Sequence, residues 1–205
     1  MTKVYPLVAL AAIVSGVAGI VFGQLGPDAR LDPLHTTAGE FAVAGRGGVT
    51  ALATAVIALG SLALLAGLRA AGAPVRGTPE RLLLVWSGAL LTAPFGAGPV
   101  SRYVTVAAFA CLPAAGALLV PRLSGDQVWR PVARTVEWLA LAGGLGVLAL
   151  TYVALPGEGV MLGLVERLLL GADVALLAVL AVWLVRVVWG GIAVKFTTYH
   201  RFIAS

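Results

Sequence analysis

The sequence predicts an all-α integral membrane protein: a bundle of six transmembrane helices with both termini on the cytoplasmic side. Three observations predict it. Of the 205 residues, 60% are hydrophobic and 11% are charged, whereas about 25% of residues are charged in soluble domains. The apolar residues fall into six runs, each near the length of about 20 residues that a spanning helix needs. Basic residues are concentrated in alternate connections between those runs.

The six runs are bounded by charged residues, glycine or proline. We expect helices over residues 5–25, 48–68, 82–98, 103–120, 135–155 and 162–187. The first run is long for the apolar part of a secretory signal, so we expect a retained helix. Because the six runs use most of the chain, residues 1–205 are expected to form a single domain. The tail at 190–205 is aromatic and basic, which suits an interfacial helix and disorder equally.

Helices one and five contain small residues that let helix backbones approach closely. These are Ser15, Gly19 and Gly23 in helix one, and Gly143, Gly144 and Gly146 in helix five. We expect them to face other helices of the bundle. Pro94 and Pro113 lie in helices three and four, where proline removes a backbone hydrogen bond. The two prolines either bend these helices around a cavity or are ordinary kinks.

The basic residues predict the orientation, because cytoplasmic connections hold the excess of lysine and arginine. Ten of them fall on the side of the two termini: Lys3, Arg69, Arg76, Arg81, Arg122, Arg130, Arg134, Arg186, Lys195 and Arg201. The other side has four: Arg30, Arg46, Arg102 and Arg167. This imbalance places both termini inside and favours an even number of helices. The same basic residues lie between apolar runs, so the formal charge of +5 does not predict nucleic-acid binding.

Four tryptophans lie near the predicted cytoplasmic ends: Trp86, Trp129, Trp138 and Trp189. We expect all four to be anchors at the membrane–water interface, where amphipathic rings are favoured.

Helix six contains the ionisable residues with the deepest predicted positions. At about 1.5 Å per residue from Leu162, Asp173 lies about 16 Å deep, close to the midplane. Glu166 is seven residues earlier and shares its helix face, whereas Arg167 points elsewhere. A charge at that depth costs about 2.5–3.5 kcal/mol on insertion scales and therefore needs a partner or a watery cavity. An acidic stripe is thus predicted to face the bundle interior.

Two interpretations of this stripe remain open. In the structural one, Glu166 pairs with Arg102 or Arg46, and Asp173 is protonated or bonded to a hydroxyl such as Thr54 or Thr151. In the functional one, the acids line a polar pocket that opens outward.

The long connection at 24–47 does not predict a metal site. It holds one histidine, His35, and the chain has no second cysteine to pair with Cys111. We therefore expect no metal, no cofactor and no internal disulfide.

Three segments resemble a known family. They are residues 31–41, which include Leu31-Asp32-Pro33 and Glu40-Phe41; Arg102-Tyr103 followed by Phe109 and Leu112-Pro113; and Gly163-Leu164-Val165-Glu166-Arg167-Leu168-Leu169. With these segments the chain resembles the bacterial multi-pass membrane family known as domain of unknown function 998, over nearly its whole length. The family often has histidine before the Arg-Tyr pair, where this chain has Ser101. The resemblance implies six helices and importance for Glu40, Arg102, Glu166 and Arg167, but no reaction.

The leading functional hypothesis is a protein of the cell inner (plasma) membrane that binds a lipid or other hydrophobic small molecule in an outward-facing pocket between helices two, four and six. Its ligand-binding residues would be Glu40, Arg46, Arg102, Glu166, Arg167 and Asp173. The alternative is an intramembrane enzyme that acts on an isoprenoid or lipid by acid catalysis, with Asp173 and Glu166 as its acids. A small transporter or a subunit of a membrane complex is the third class. The oligomeric state and any partner besides the bilayer stay open.

Overall fold

The computed structural model describes the backbone of residues 4–24, 47–92, 99–154 and 162–203, and the side chains of 4–22, 48–92, 108–153 and 163–190. Within these ranges the regular structure consists of six helices and no strand. The helices are α1 Tyr5–Gln24, α2 Gly47–Ala70, α3 Thr78–Thr92, α4 Pro99–Gly125, α5 Arg130–Ala154 and α6 Leu162–Ile203. The all-helical fold predicted from the apolar runs is therefore confirmed.

Five of these helices are long and apolar enough to cross a membrane in the described part of the chain: α1, α2, α4, α5 and α6. The described part of α3 has 15 residues, fewer than the about 20 residues that a spanning helix uses. The expected end of this helix at residue 98 and Pro94 lie outside the described residues. The apolar helices fit a multi-pass membrane protein.

Glycines on two helices bring α1 and α2 into close antiparallel contact. A Cβ atom added to Gly16 would overlap the side chain of Ile57, and one added to Gly60 would lie 2.7 Å from the Cβ of Ala12. Gly19 meets α2 in the same way. Helix one therefore uses small residues for packing, as expected. Ser15 was wrongly included in the contact face: it is exposed and its hydroxyl donates to a carbonyl of its own helix, while the side-chain position of Gly23 is not described.

The second tightly packed unit consists of α4, α5 and α6. Gly116 of α4 packs against Ala140 of α5 and Leu176 of α6, and Gly146 of α5 packs against Leu169 of α6. Because residue numbers rise on one helix while they fall on the next, α5 is antiparallel to both neighbours. A helix backbone without side chains at these points allows the three axes to converge.

Around the bundle each helix packs against the next in sequence, and α6 closes the arrangement by packing against α1 as well as α5, α2 and α4. The central core includes Trp86 and Trp129, both of which are almost completely buried. The prediction that all four tryptophans are interfacial is therefore wrong for these two. Trp138 and Trp189 are exposed, as an anchor requires. The sequence position of a tryptophan near a helix end does not tell which way its ring points.

Two short turns lie together at one end of the bundle. The first connects α2 to α3, and the second connects α4 to α5. Arg122, near the end of α4, donates a hydrogen bond to the carbonyl oxygen of Arg76 in the first turn. The indole of Trp183 on α6 donates to the carbonyl oxygen of Val128 in the second turn at 3.2 Å. The two turns and this part of α6 are thereby joined.

The last helix is longer than expected. Its apolar segment was expected to end at residue 187, but the helical backbone continues to Ile203, so α6 has 42 residues. At about 1.5 Å per residue such a helix is about 63 Å long, against a hydrocarbon core of about 30 Å. Its last part therefore extends beyond any membrane that its apolar part crosses. An interfacial position for residues 190–205 stays a prediction.

Candidate functional site

The site begins with one face of α6. Glu166 and Asp173 are two of the few buried polar residues in the described chain, with 7% and 1% of their surface exposed. They are seven residues apart, which places them on the same side of the helix. Leu169, Leu176 and Leu180 share that side and are also buried. We call Glu166 and Asp173 the acidic face of α6. The sequence-based expectation that these two acids point into the bundle is met.

Asp173 lies where α4, α5 and α6 meet. Its Oδ1 atom is 3.4 Å from the position that a Cβ atom on Gly143 would take, and the same position is 2.6 Å from the Cγ atom of Pro113. Gly143 therefore makes room for both the carboxyl group and the proline ring. Pro113 lies inside a helix that continues to Gly125. Its role here is to fill the space beside Gly143 rather than to end α4.

Neither oxygen of Asp173 has a hydrogen-bond partner among the described residues. The two hydroxyls expected to reach it, those of Thr54 and Thr151, donate to carbonyl oxygens of their own helices at 2.8–3.1 Å. The proposed hydroxyl bond is therefore wrong. The reason is local: a threonine within a helix satisfies its hydroxyl on the preceding turn. A polar group that is buried without a partner costs free energy. Both oxygens of Asp173 are in this state, so its carboxyl group has the least favourable surroundings of the carboxyl groups described.

The surroundings of Asp173 are apolar in both directions along α6. Toward Glu166 lies a small cluster of Phe109, Leu150 and Leu169. On the other side begins the main core, with Leu112 and Leu176. The acidic face thus lies between two apolar layers. In such surroundings a hydrogen bond between Asp173 and an added polar group is electrostatically stronger than the same bond in water.

Glu166 and Arg167 differ from Asp173 because each has an interaction partner. The half-buried Arg167 donates from Nη1 to the carbonyl oxygen of Gly163 at 3.0 Å, which directs its guanidinium group along its own helix. The arginines expected to pair with Glu166 cannot be placed beside it: the side chain of Arg102 and all of Arg46 lie outside the described residues. The same holds for Glu40. Of the predicted ligand-binding residues, the structure describes the side chains of Glu166, Arg167 and Asp173, all on α6, and buries Glu166 and Asp173 on one face of that helix.

Sequence reasoning missed a concave region at the other end of the bundle. A cleft of about 430 Å³ lies beside the turn between α2 and α3, lined by Arg69, Gly72, Ala73, Pro74, Arg76 and Arg122. We call it the arginine cleft. Its arginines had been counted only as orientation signals. One signal in the sequence was the connection between Arg69 and Arg81 with its two glycines and two prolines, which predicts a fixed backbone rather than a loose connection.

The described residues contain no group of three or more histidine, cysteine, aspartate or glutamate side chains that could hold a metal ion. Cys111 is half-buried on α4 and forms no disulfide. The acidic face of α6 therefore offers two carboxyl groups in apolar surroundings, and the Arg167 guanidinium group is held along the same helix. Such a set can bind a polar headgroup or transfer a proton.

Comparison with known proteins identifies one family. The family model described as "Protein of unknown function (DUF998)" matches residues 10–183, which is most of the chain. The chain belongs to this family, as its three resembling segments predicted. No curated protein and no solved structure matches it. The match includes the whole acidic face of α6.

Proposed function

We propose that this member of the DUF998 family binds a lipid or another hydrophobic small molecule in an outward-facing intramembrane pocket, with Asp173 at its floor and Glu166 nearer its mouth. Helices two, four and six were expected to form the pocket. The position of the Asp173 carboxyl group beside Gly143 favours α5 as a further wall. Glu40, Arg46, Arg102 and Arg167 complete the proposed ligand-binding set.

One observation carries this proposal: the carboxyl group of Asp173 is buried and has no hydrogen-bond partner among the described residues. An apolar side chain of similar size would fill the same space without this cost. A polar group of a ligand, such as a hydroxyl or an amide, would satisfy the carboxyl group and offset that cost. The apolar layers above and below it would contact the hydrocarbon part of the ligand.

The proposed topology has six crossings, with both termini on the cytoplasmic side of the plasma membrane. Its support is the common end at which the two short turns meet: α2 and α4 end there, and α3 and α5 begin there. Tyr5 of α1 and Leu184 of α6 both lie against Gly67, near the same end. This end also contains Arg69, Arg76 and the other basic residues that predict a cytoplasmic side.

Labelling tests this topology. In a Cys111→Ala background, a cysteine replacing the exposed Ser124 should react with a membrane-impermeant thiol reagent in inverted vesicles and not in intact cells. Reaction in intact cells would reverse the proposed orientation.

Photo-crosslinking tests the binding proposal. The purified chain is exposed to a diazirine-labelled fatty acid and to a diazirine-labelled polyprenyl alcohol, and the labelled peptides are identified by mass spectrometry. At least one probe should label residues 163–176 in the wild type. Asp173→Asn and Glu166→Gln should each weaken that labelling by about tenfold, the effect of losing about 1.4 kcal/mol. Glu137→Gln removes an exposed carboxylate on α5 and serves as the control. Labelling confined to exposed side chains such as Leu168, and equal in all variants, would contradict the proposal.

A second candidate function rests on the apolar surroundings of the same residue. A carboxylic acid kept protonated in such a site can donate a proton to an isoprenoid or another lipid. Asp173 would then be the acid that acts, with Glu166 as the second. Conversion of a polyprenyl substrate by the wild type, lost in Asp173→Asn, would favour the enzyme. Crosslinking of the probe without conversion would favour the binding protein.

A further inference from the structure

The arginine cleft lies at the opposite end of the bundle from the mouth of the proposed pocket, so a role for the cleft is independent of ligand binding in that pocket and rests only on the proposed cytoplasmic orientation of this end. Its floor is the turn between α2 and α3, and one wall is the last part of α4. The turn starts where the apolar segment of α2 ends, at Ala70. A membrane that contains this segment therefore has its headgroup layer at the level of the cleft.

The backbone of the turn is fixed by its own hydrogen bonds. The amide of Ala73 donates to the carbonyl of Leu68 at 2.9 Å, and that of Gly72 donates to the carbonyl of Arg69 at 3.1 Å. With Gly72 at φ +75°, this is the Schellman ending of a helix, which satisfies its last carbonyl groups. Gly77, at φ +91°, then turns the chain into α3. The cleft is therefore formed before any ligand arrives.

The charges around the cleft are only partly balanced. Arg69 forms an ion pair with Glu80 in the first turn of α3. Among the described side chains, neither Arg76 nor Arg122 has a carboxylate within ion-pair distance. Arg122 uses one of its five N–H donors on the carbonyl of Arg76. The cleft thus retains two positive groups and most of their donors.

We propose that the arginine cleft binds the phosphate headgroup of an anionic phospholipid. The planar guanidinium group matches phosphate through paired hydrogen bonds, and these charge-assisted bonds are among the stronger ones in proteins. Basic pockets beside the cytoplasmic ends of membrane helices face a leaflet rich in anionic lipid. The volume of about 430 Å³ admits a phosphate together with its glycerol. The acyl chains would lie along exposed apolar side chains of the two helices that flank the cleft, such as Leu84 of α3 and Leu118 of α4.

The test compares two lipids on the full chain. The chain is purified in a neutral detergent and titrated with phosphatidylglycerol or with phosphatidylcholine of the same acyl chains, and native mass spectrometry counts the bound lipid. We expect phosphatidylglycerol to bind about tenfold more tightly than phosphatidylcholine. Equal binding of the two would overturn the proposal.

Two pairs of variants separate the cleft from general surface charge. Arg76→Gln and Arg122→Gln should each weaken phosphatidylglycerol binding by about tenfold. Arg76→Gln keeps the backbone carbonyl that Arg122 contacts, so it leaves the turn intact. Arg130→Gln and Arg134→Gln remove exposed charges of α5 that do not line the cleft, and they should change the affinity by less than about twofold. Equal losses in both pairs would overturn the proposal.

A third arm distinguishes a lipid from free phosphate. Inorganic phosphate at millimolar concentration should leave phosphatidylglycerol bound, because it cannot contact the apolar side chains beside the cleft. Displacement of the lipid by inorganic phosphate at that concentration would overturn the assignment to a lipid headgroup.

Discussion

The arginine cleft and the acidic face of α6 hold charged residues in opposite ways. At the cleft, Arg69 is about half exposed and forms an ion pair with Glu80, and Arg76 is exposed. On α6, Asp173 is buried without a partner among the described residues. Charged residues at helix ends stay near water and cost little free energy. A charged carboxyl group at the centre of a membrane helix costs about 2.5–3.5 kcal/mol on insertion scales.

The comparison teaches where function can be sought in a small membrane protein. A residue that lowers stability and is nevertheless present calls for a reason other than stability. Asp173 meets this description more clearly than any arginine of the cleft. The arginines have a structural reason, orientation, which is sufficient for their presence; only their arrangement around a fixed turn suggests a binding role.

The largest expected loss of stability tests the packing around Asp173. Gly143→Ala should destabilise the protein by about 1–3 kcal/mol, because the added methyl group would overlap the ring of Pro113. Gly144→Ala is the matched control: it has open space around it and gains the same helix propensity, about 0.5–1 kcal/mol. Unfolding in detergent micelles, followed by circular dichroism, measures the difference. Equal stability of the two variants would mean that α4 and α5 are not in contact at this point.

Much of the fold could be predicted because the length and hydropathy of apolar runs identify membrane helices in a sequence. Each of α1, α2, α4, α5 and α6 begins within five residues of the expected position. Contacts between helices could not be predicted as well. Ser15 and Gly16 are both small and are adjacent, and only packing against Ile57 decides that Gly16 faces α2.

For the candidate site, too, the sequence predicted the position of a residue but not its contacts with other helices. A carboxylate in the middle of an apolar run must face inward, so the burial of Asp173 followed from its position alone. Its neighbours did not follow, because Gly143 and Pro113 come from other helices and no sequence spacing relates them. Trp86 illustrates the same difficulty: the sequence placed it near a helix end but not in the core.

The second prediction concerns Asp173 directly and has the opposite sign. Asp173→Val should stabilise the protein by about 1–3 kcal/mol, because it replaces a carboxyl group that lacks a partner by an apolar group of similar volume. Asp173→Asn retains a polar group and should give a smaller gain. Thermal unfolding of the ligand-free chain in micelles measures both. Strong destabilisation by either variant would reveal a partner on residues beyond the described ones.

The third prediction addresses the mouth of the proposed pocket. Glu166 and Arg102 are expected to be coupled by about 1 kcal/mol, within the range for residues in contact. Single and double substitutions by glutamine, with unfolding measured for all four proteins, give this coupling directly. Additive effects would leave Glu166 paired with another residue. A second cycle that combines Arg46→Gln with Glu166→Gln would then test Arg46 as the alternative partner.

The smallest effect is expected at the end of the bundle that holds the arginine cleft, where charges remain near water. The ion pair of Arg69 with Glu80 joins the last turn of α2 to the first turn of α3, and Arg69 is 48% exposed. A double-mutant cycle with Arg69→Gln and Glu80→Gln should give a coupling of about 0.2–1 kcal/mol at low salt. Half-molar salt should reduce it, because the screening length falls to about 4–5 Å. A coupling above that range that persisted in salt would mean that this pair is as shielded from water as Asp173.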